Sequence, residues 1–455
     1  MPRARWWVIG VLSLVTALVV LLDATGVIFD EAEPAAAPAP LALPTASEAV
    51  PAPSPAATSA SGEPSLRERT AFARALEGTS GGAIGYVAPL SEPAEYWSDF
   101  GDDGRNLGTP ASTLKLLTAV AVLDSFSATD RLVTSTVFEP EAERLVLVGG
   151  GDATLTTTPS RGTDAPSLAQ LAKDTSRALR RTDVSDVQLG YDASIFTGPG
   201  SSPHWEPTYV TSGVIAPVTA LMTDAGRLDS DSDARAAQPD LLAAQRFSSL
   251  LTEEGIKVRG SLKEVSAHGL DPIAQVFSAP VPELVELMLR DSDNQVAESL
   301  GRLAALRSGL PGSFDGASDA IVAAARAQGV GMQRAKVFDA SGLSRDNRLD
   351  PQMLVETLHA AATTPALTPI LAGLPVSGFD GTLADRYQKA PTSRAAGLVR
   401  AKTGTLTGVS AEAGLVTTCD GVVLAFAAII DGVVDTQEAQ ASLDRAAASF
   451  TVCGR

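Results

Sequence analysis

The periodicity of the chain changes twice, and those changes limit what it can fold into. From about Arg131 to Pro280, short strand-like runs (RLVTSTVFEP, RLVLVGG, DVQLGYDAS, IKVRGSLKEV) alternate with turns. Two helical spacings interrupt them, SLAQLAKDTSRAL and DLLAAQRFSSLLTEEG. The flanks read differently. Before this stretch come a helical spacing in LRERTAFARAL, a strand in GGAIGYVAP and a helix in STLKLLTAVAVLDSF. After it, helices are expected in VPELVELMLR, NQVAESLGRLAAL and DAIVAAARAQG. The strands AAGLVRAKTGTL, AEAGLVTT and GVVLAFAAII and the helix TQEAQASLDRAAASF come next. Short turns between those strands predict an antiparallel meander. With 455 residues the chain exceeds one ordinary domain. The expected architecture is an α/β domain of residues 65–130 and 281–455, interrupted by a strand-rich insert of residues 131–280. No repeat of fixed period is present.

The first 64 residues are of another kind. Arg3 and Arg5 precede an uncharged, mostly apolar run from Trp6 to Leu22. That pattern predicts a signal anchor, or a signal peptide, within residues 1–29, and either one exports the rest of the chain. Residues 30–64 are rich in Ala, Pro and Ser. Prolines at 34, 38, 40, 44, 51, 53, 55 and 64 block helix and ladder formation, so the segment reads as a semi-extended tether.

Composition excludes several chemistries. The formal net charge of -18 repels phosphate backbones, which argues against a nucleic-acid partner. Two cysteines, Cys419 and Cys453, form no CxxC pair, and His204, His268 and His359 are far apart. No metal site and no organic cofactor are expected. No GxSxG elbow is present to support a Ser-His-Asp triad. The glycines of GGGDATL (149–155) are not followed by GK[ST], so a tight turn is expected there rather than a phosphate loop.

Three short motifs carry the chemistry: STLK at Ser112–Lys115, SDN at Ser292–Asn294, and KTG at Lys402–Gly404. Any one alone is weak, since a Ser and a Lys three apart usually mark a solvated helix face and Ser or Asn before a helix is usually a cap. Together, in order, they are specific. Residues three apart share a helix face, so Lys115 can reach the Ser112 hydroxyl. A free hydroxyl needs a base to become a nucleophile, and a buried lysine with a depressed pKa can serve. Ser292, in a loop between helices, offers a second hydroxyl for proton relay, and Asn294 offers a donor and an acceptor to a substrate amide. Lys402 and the hydroxyls of its strand are suited to a terminal carboxylate. Thr403 is expected on the face opposite Lys402, while Gly404 and Thr405 leave room beside a substrate backbone. The N–H groups of Ser112 and Thr405 are candidates for an oxyanion hole.

The trio, with 180 residues between its two serines (292 minus 112), resembles the type-4 low-molecular-mass penicillin-binding proteins. Similar segments are YDASIF (191–196), SGLSRDN (341–347), GGGDATL and KTGTLTGVSAEAG (402–414), and the likeness covers residues 66–455. It implies a penicillin-binding/β-lactamase-like transpeptidase fold, serine D-Ala-D-Ala carboxypeptidase or endopeptidase activity on peptidoglycan stem peptides, Ser112 acylation with Lys115 as base, and inhibition by β-lactams. It also implies that Arg345, in SGLSRDN, binds a carboxylate on the stem peptide, a guanidinium being suited to bidentate grip. A surface pairing of Arg345 with Asp346 or Asp385 is the plainer alternative. SPHWEPTYV departs from the family where an acidic substrate contact tends to stand, with Glu206 as the candidate substitute. A β-lactamase and a non-enzymatic β-lactam or cell-wall binding protein remain as rivals. The long insert and the lack of an evident deacylating glutamate weigh against the first, and the intact motifs against the second.

Export to an oxidising space predicts a Cys419–Cys453 disulfide, worth about 2–4 kcal/mol. Thiol titration of the native, unreduced protein is expected to find no free thiol; two free thiols would refute the bridge.

Overall fold

The sequence KLLTAVAVL is, Thr118 apart, apolar all round after its first residue, and a helix of that kind belongs at the centre of a domain rather than on its surface. A computed structural model places it there. Described are residues 66–77, 79, 81–91, 98–100, 107–159, 165–229, 232–267 and 269–452. The apolar run Trp6–Leu22, the Ala/Pro-rich stretch, His268 and Cys453 lie outside them. Among the described residues no helix is long and apolar enough to cross a membrane.

Helix α1 (Leu66–Glu77) leads into β1 (Gly82–Pro89) and β2 (Ser98–Phe100), and the central helix is α2 (Lys115–Ser125). A second group of elements follows: β3 (Arg131–Glu139), β4 (Arg144–Val148), α3 (Leu168–Arg180), β5 (Asp186–Asp192), α4 (Pro239–Glu253), β6 (Lys257–Glu264) and β7 (Pro272–Pro280). Then come α5 (Val281–Arg290), α6 (Asn294–Arg307), α7 (Phe314–Ala327) and α8 (Pro351–Thr363). The end is β8 (Val399–Leu406), β9 (Val409–Thr417), β10 (Val423–Asp431) and α9 (Thr436–Ser449).

The expected meander is present, β8 and β10 both pairing antiparallel with β9, and it is extended by β1 and β2 into a sheet ordered β2-β1-β10-β9-β8. The N-terminal strand therefore pairs with the last strand of the chain, Gly82 opposite Asp431 and Pro89 opposite Leu424. One face of this sheet packs on α1 and α9 through Phe72, Val399, Phe426, Leu443 and Phe450. The other face, through Ala411, Ala413, Ala427 and Ile429, packs on the helical layer around α2. Every residue from Lys115 to Leu123 is buried, so the lysine in the first turn of α2 lies in the interior.

The second sheet runs β6-β5-β4-β3-β7. The turn-linked strands expected there exist, but β4, β5 and β6 are parallel neighbours. Parallel neighbours need crossovers, and α3 and α4 supply them. Leu145, Leu147, Leu171, Leu189 and Phe247 form their shared core. GGGDATL is the expected turn: Asp152, buried, accepts from Thr154 N at 2.8 Å and Thr154 Oγ1 at 2.6 Å.

Two glycines fix where α2 begins. Ala111, just before Ser112, has a φ of 45° in the left-handed region, unusual for a residue with a side chain. Gly342 has a φ of +86°, and a Cβ there would lie 1.9 Å from the Ala111 carbonyl oxygen. At Gly404 a Cβ would lie 2.7 Å from the Pro110 carbonyl oxygen and 3.1 Å from Ser112 N. Gly404 thus leaves room for the backbone that carries Ser112, a tighter constraint than the room for substrate expected from the motif. Gly342→Ala should destabilise the protein by about 2–5 kcal/mol, since both the φ and the contact are backbone constraints. Denaturant unfolding checks this; a change below about 0.5 kcal/mol would show that the loop moves aside at little cost.

Candidate active site

Ser112 lies in a 3₁₀ turn, Ala111–Leu114, that runs directly into α2 and leaves its hydroxyl at the edge of a cleft of ≈620 Å³. Ser292, Asn294, Thr403 and Thr405 line the same cleft, so parts of all three motifs meet there. Ser292, in the turn between α5 and α6, also takes a left-handed φ of 58°. Non-glycine residues held in that region are strained and persist where the surroundings over-determine them.

The Lys115 amine is fully buried behind the serine. It lies 2.9 Å from Ser112 Oγ, 2.8 Å from Asn294 Oδ1 and 2.8 Å from the Ser341 carbonyl oxygen. The last two groups only accept hydrogen bonds. A neutral amine has two N–H donors for them and one lone pair left, directed at the Ser112 hydroxyl. Burial lowers the Lys115 pKa to about 8, against the opposing charges of Asp293, Glu298 and Asp339. Losing most of the normal lysine basicity in this way is the expected result of desolvating a cation.

Lys402 occupies the same interior. Its Nζ, fully buried on the face of β8 opposite Thr403, donates to the Thr403 carbonyl at 2.8 Å. Burial, and then the neighbouring Lys115, push its pKa well below the usual lysine range. The hydroxyls that line the cleft on this strand belong to Thr403 and Thr405. Thr403 donates to Thr382 Oγ1 at 2.8 Å, and Gln440 Nε2 donates to Thr405 Oγ1 at 3.3 Å.

Arg345 pairs with neither Asp346 nor Asp385. Its Nε lies 2.9 Å from Glu206 Oε1, close as a charge pair but off the axis of a hydrogen bond, and its Nη2 donates to the Thr407 carbonyl. Asp346 instead meets His204 Nδ1 at 2.7 Å. His359 Nδ1 contacts the Leu90 carbonyl at 2.7 Å. Neither imidazole ring bonds a serine hydroxyl, and among the described residues no cluster of His, Cys, Asp or Glu could hold a metal ion.

Several cleft residues had no signal in the sequence. Tyr209 and Val214 come from the long segment between β5 and α4, which Gln295 pins by accepting from Ala216 N at 3.0 Å. Arg386 lines the cleft while held by Glu412 at 2.6 Å and Asp444 at 2.5 Å. Asp339, buried, accepts from Gly342 N, Ser344 N, Asn347 Nδ2 and Trp205 Nε1 and so ties SGLSRDN to that same segment. Aspartate two residues before SGLSRDN was the one readable hint, since Asp often organises the turn after it.

A hydroxyl at the edge of a cleft, backed by a buried amine of lowered pKa, is an arrangement suited to a serine hydrolase. Residues 68–237 and 229–451 match the D-Ala-D-Ala carboxypeptidase 3 (S13) family, and the chain belongs to it. The carboxypeptidase DacB of Mycolicibacterium smegmatis is 37% identical over 394 residues, covering 85% of this chain and 84% of the relative. A carboxypeptidase of Mycobacterium tuberculosis is 37% identical over 327 residues, 70% of each chain. In fold, the chain is similar to penicillin-binding protein 4 of Haemophilus influenzae, with a TM-score of 0.68 at 22% identity over 83% of this chain and 97% of that one. The expected penicillin-binding-protein fold and serine-type D-Ala-D-Ala carboxypeptidase activity are therefore those of this protein.

The surroundings of Lys115 predict that its amine loses a proton near pH 8. Titration of the ¹⁵N-labelled lysine amine by NMR checks this, and a midpoint in the ordinary lysine range, above about 10, would contradict it.

Proposed function

We propose that Ser112 is the nucleophile that removes the terminal D-Ala of peptidoglycan stem peptides, with Lys115 as its general base. The observation that carries this is the 2.9 Å approach of a buried amine of lowered pKa to the hydroxyl. Lys115 takes the Ser112 proton as Oγ attacks the carbonyl carbon of the penultimate D-Ala. The C–N bond to the last residue breaks, and the departing amine receives a proton through Ser292. Water then hydrolyses the ester and regenerates the serine. Cross-linked peptides present the same bond, so endopeptidase cleavage is chemically equivalent. Penicillins take the first half of this path and stop as the ester.

The remaining motif residues fit supporting roles. Asn294 Oδ1 holds Lys115, and its amide nitrogen donates to the Val214 carbonyl at 3.5 Å, a donor that a substrate amide could share. The hydroxyls of Thr403 and Thr405 suit the terminal carboxylate. The backbone N–H groups of Ser112 and Thr405 suit the oxyanion, Gly404 permitting the two segments to approach. Lys402 holds the Thr403 carbonyl from behind the strand and so supports the edge that carries Thr403 and Thr405. Arg345 beside Glu206 offers a cation and an anion together, the complement of a side chain that ends in both carboxylate and ammonium. Residues 131–280 are read as an insert whose Tyr209–Val214 segment supplies one wall. The enzyme acts outside the cytoplasm, and Trp6–Leu22 is read as its membrane anchor.

Ser112→Ala should abolish both covalent labelling by penicillin and D-Ala release, the loss typical of a removed nucleophile being many orders of magnitude. Labelling that persists in this variant would place the nucleophile elsewhere. Steady turnover of penicillin by the native protein would indicate a β-lactamase.

A further inference from the structure

Glu298 is a fully buried carboxyl that the acyl-transfer steps above do not use. It lies on α6 one turn after Asn294, so the two side chains share a helix face. Its Oε1 accepts from Ala340 N at 3.1 Å and Ser341 N at 2.8 Å. The carbonyls of the same two residues turn the other way, onto α2. Thr118 Oγ1 donates to Ala340 O at 2.6 Å, and Lys115 Nζ to Ser341 O at 2.8 Å. A closed ring results: Lys115 to Asn294, one helical turn to Glu298, across the 340–341 backbone, and back to Lys115.

We propose that Glu298 is a positioning residue for acyl transfer: it fixes the Ser341 carbonyl on the Lys115 amine and keeps that amine basic enough to take the Ser112 proton. This rests on the reading of Lys115 as general base. Burial alone would strip the amine of basicity, and a general base that has lost its basicity is a poor one even when always neutral. The charged groups acting on Lys115 are Asp293, Glu298 and Asp339, which favour its ammonium form; the neighbouring Lys402 is itself pushed well below the usual lysine range by burial and then by Lys115. Around Glu298 itself stand Asp339 and Arg302 as well. Burial, and then Asp339, raise Glu298 to about 7, so it is mostly ionised at the pH near 8 where Lys115 loses its proton. Its charge therefore works in one direction there. Removing it lowers the pH at which Lys115 becomes neutral and weakens the base that results.

Glu298→Gln tests this while keeping the local bonds, because a glutamine Oε1 can accept from both N–H groups. The readout is the rate of acylation by penicillin, with D-Ala release in parallel, from neutral to alkaline pH. In the native enzyme the rate should rise with pH to a plateau, with a midpoint near 8. In Glu298→Gln the midpoint should move toward acid by roughly half a unit or more, and the plateau should fall by about twofold to threefold. The two profiles then cross, the variant being faster just above neutrality and slower at alkaline pH. Glu298→Asp keeps the charge but shortens the reach by one methylene; its plateau should fall with the midpoint unmoved. A Glu298→Gln profile that is the native one scaled by a constant overturns the proposal and leaves Glu298 a purely structural group. If Glu298→Gln does not fold, Glu298→Asp decides, and a native plateau in that variant overturns the proposal. A native profile with no rise through this range sinks the reading of Lys115 as base, a separate failure from an unmoved midpoint in the variant.

Discussion

Burial of the Lys115 amine is the constraint on which the rest of the structure depends. Moving an ammonium out of water costs several kcal/mol unless partners compensate, and a protein commonly answers by giving up the proton. Here both responses operate. Two acceptors, the Asn294 amide oxygen and the Ser341 carbonyl, come from segments 179 and 226 residues away in sequence, and three carboxylates lie near enough to be felt. The sheet, the layer of helices and the apolar girth of α2 keep water from the far side of the amine. The chemistry of the cleft is a result of this exclusion.

The same tightness explains the backbone geometry. Ala111 and Ser292, both in left-handed conformations, flank the chemistry, and Gly342 and Gly404 close on the Ala111–Ser112 backbone from two sides. Strained residues cost of order 1–3 kcal/mol each and survive only when their surroundings leave no alternative. Each contact in the loop Asp339–Asn347 removes an alternative. Asp339 alone gathers two backbone N–H groups, an asparagine amide and a tryptophan indole.

The three motifs were legible because each consists of residues whose spacing already states a local geometry. Ser and Lys three apart mean one helix face, and Lys-Thr-Gly on a strand means alternate faces. The meander β8–β10 was legible because its turns are short. Strand β7 and the parallel pairing of β4, β5 and β6 were not, since PIAQVFSAP lacks clean alternation and parallel order is decided by crossovers, not by the strands. Tyr209 and Val214 reach the cleft from a segment with no regular structure, held by Trp205, Ile215 and Phe314 packing together and by Gln295. No short-range pattern encodes such a placement. The partner of Arg345 was missed for a related reason: Glu206 is 139 residues upstream (345 minus 206), while the acids considered were near in sequence or in the same half of the chain.

The pairing of β1 with β10 has a consequence for the order of assembly. Synthesis delivers β1 within the first fifth of the chain, but β10, the neighbour that pairs along its full length, arrives some 340 residues later (423 minus 82). Until then β1 has no β10 to pair with and the helix bearing Ser112 has no β8 to close over it, because both strands lie near the end. Contacts this distant make folding slow and late. An emerging chain thus leaves the first sheet unfinished until its end, although the second sheet has all its strands by Pro280. No hydrolytic cleft exists until nearly the last helix has been made.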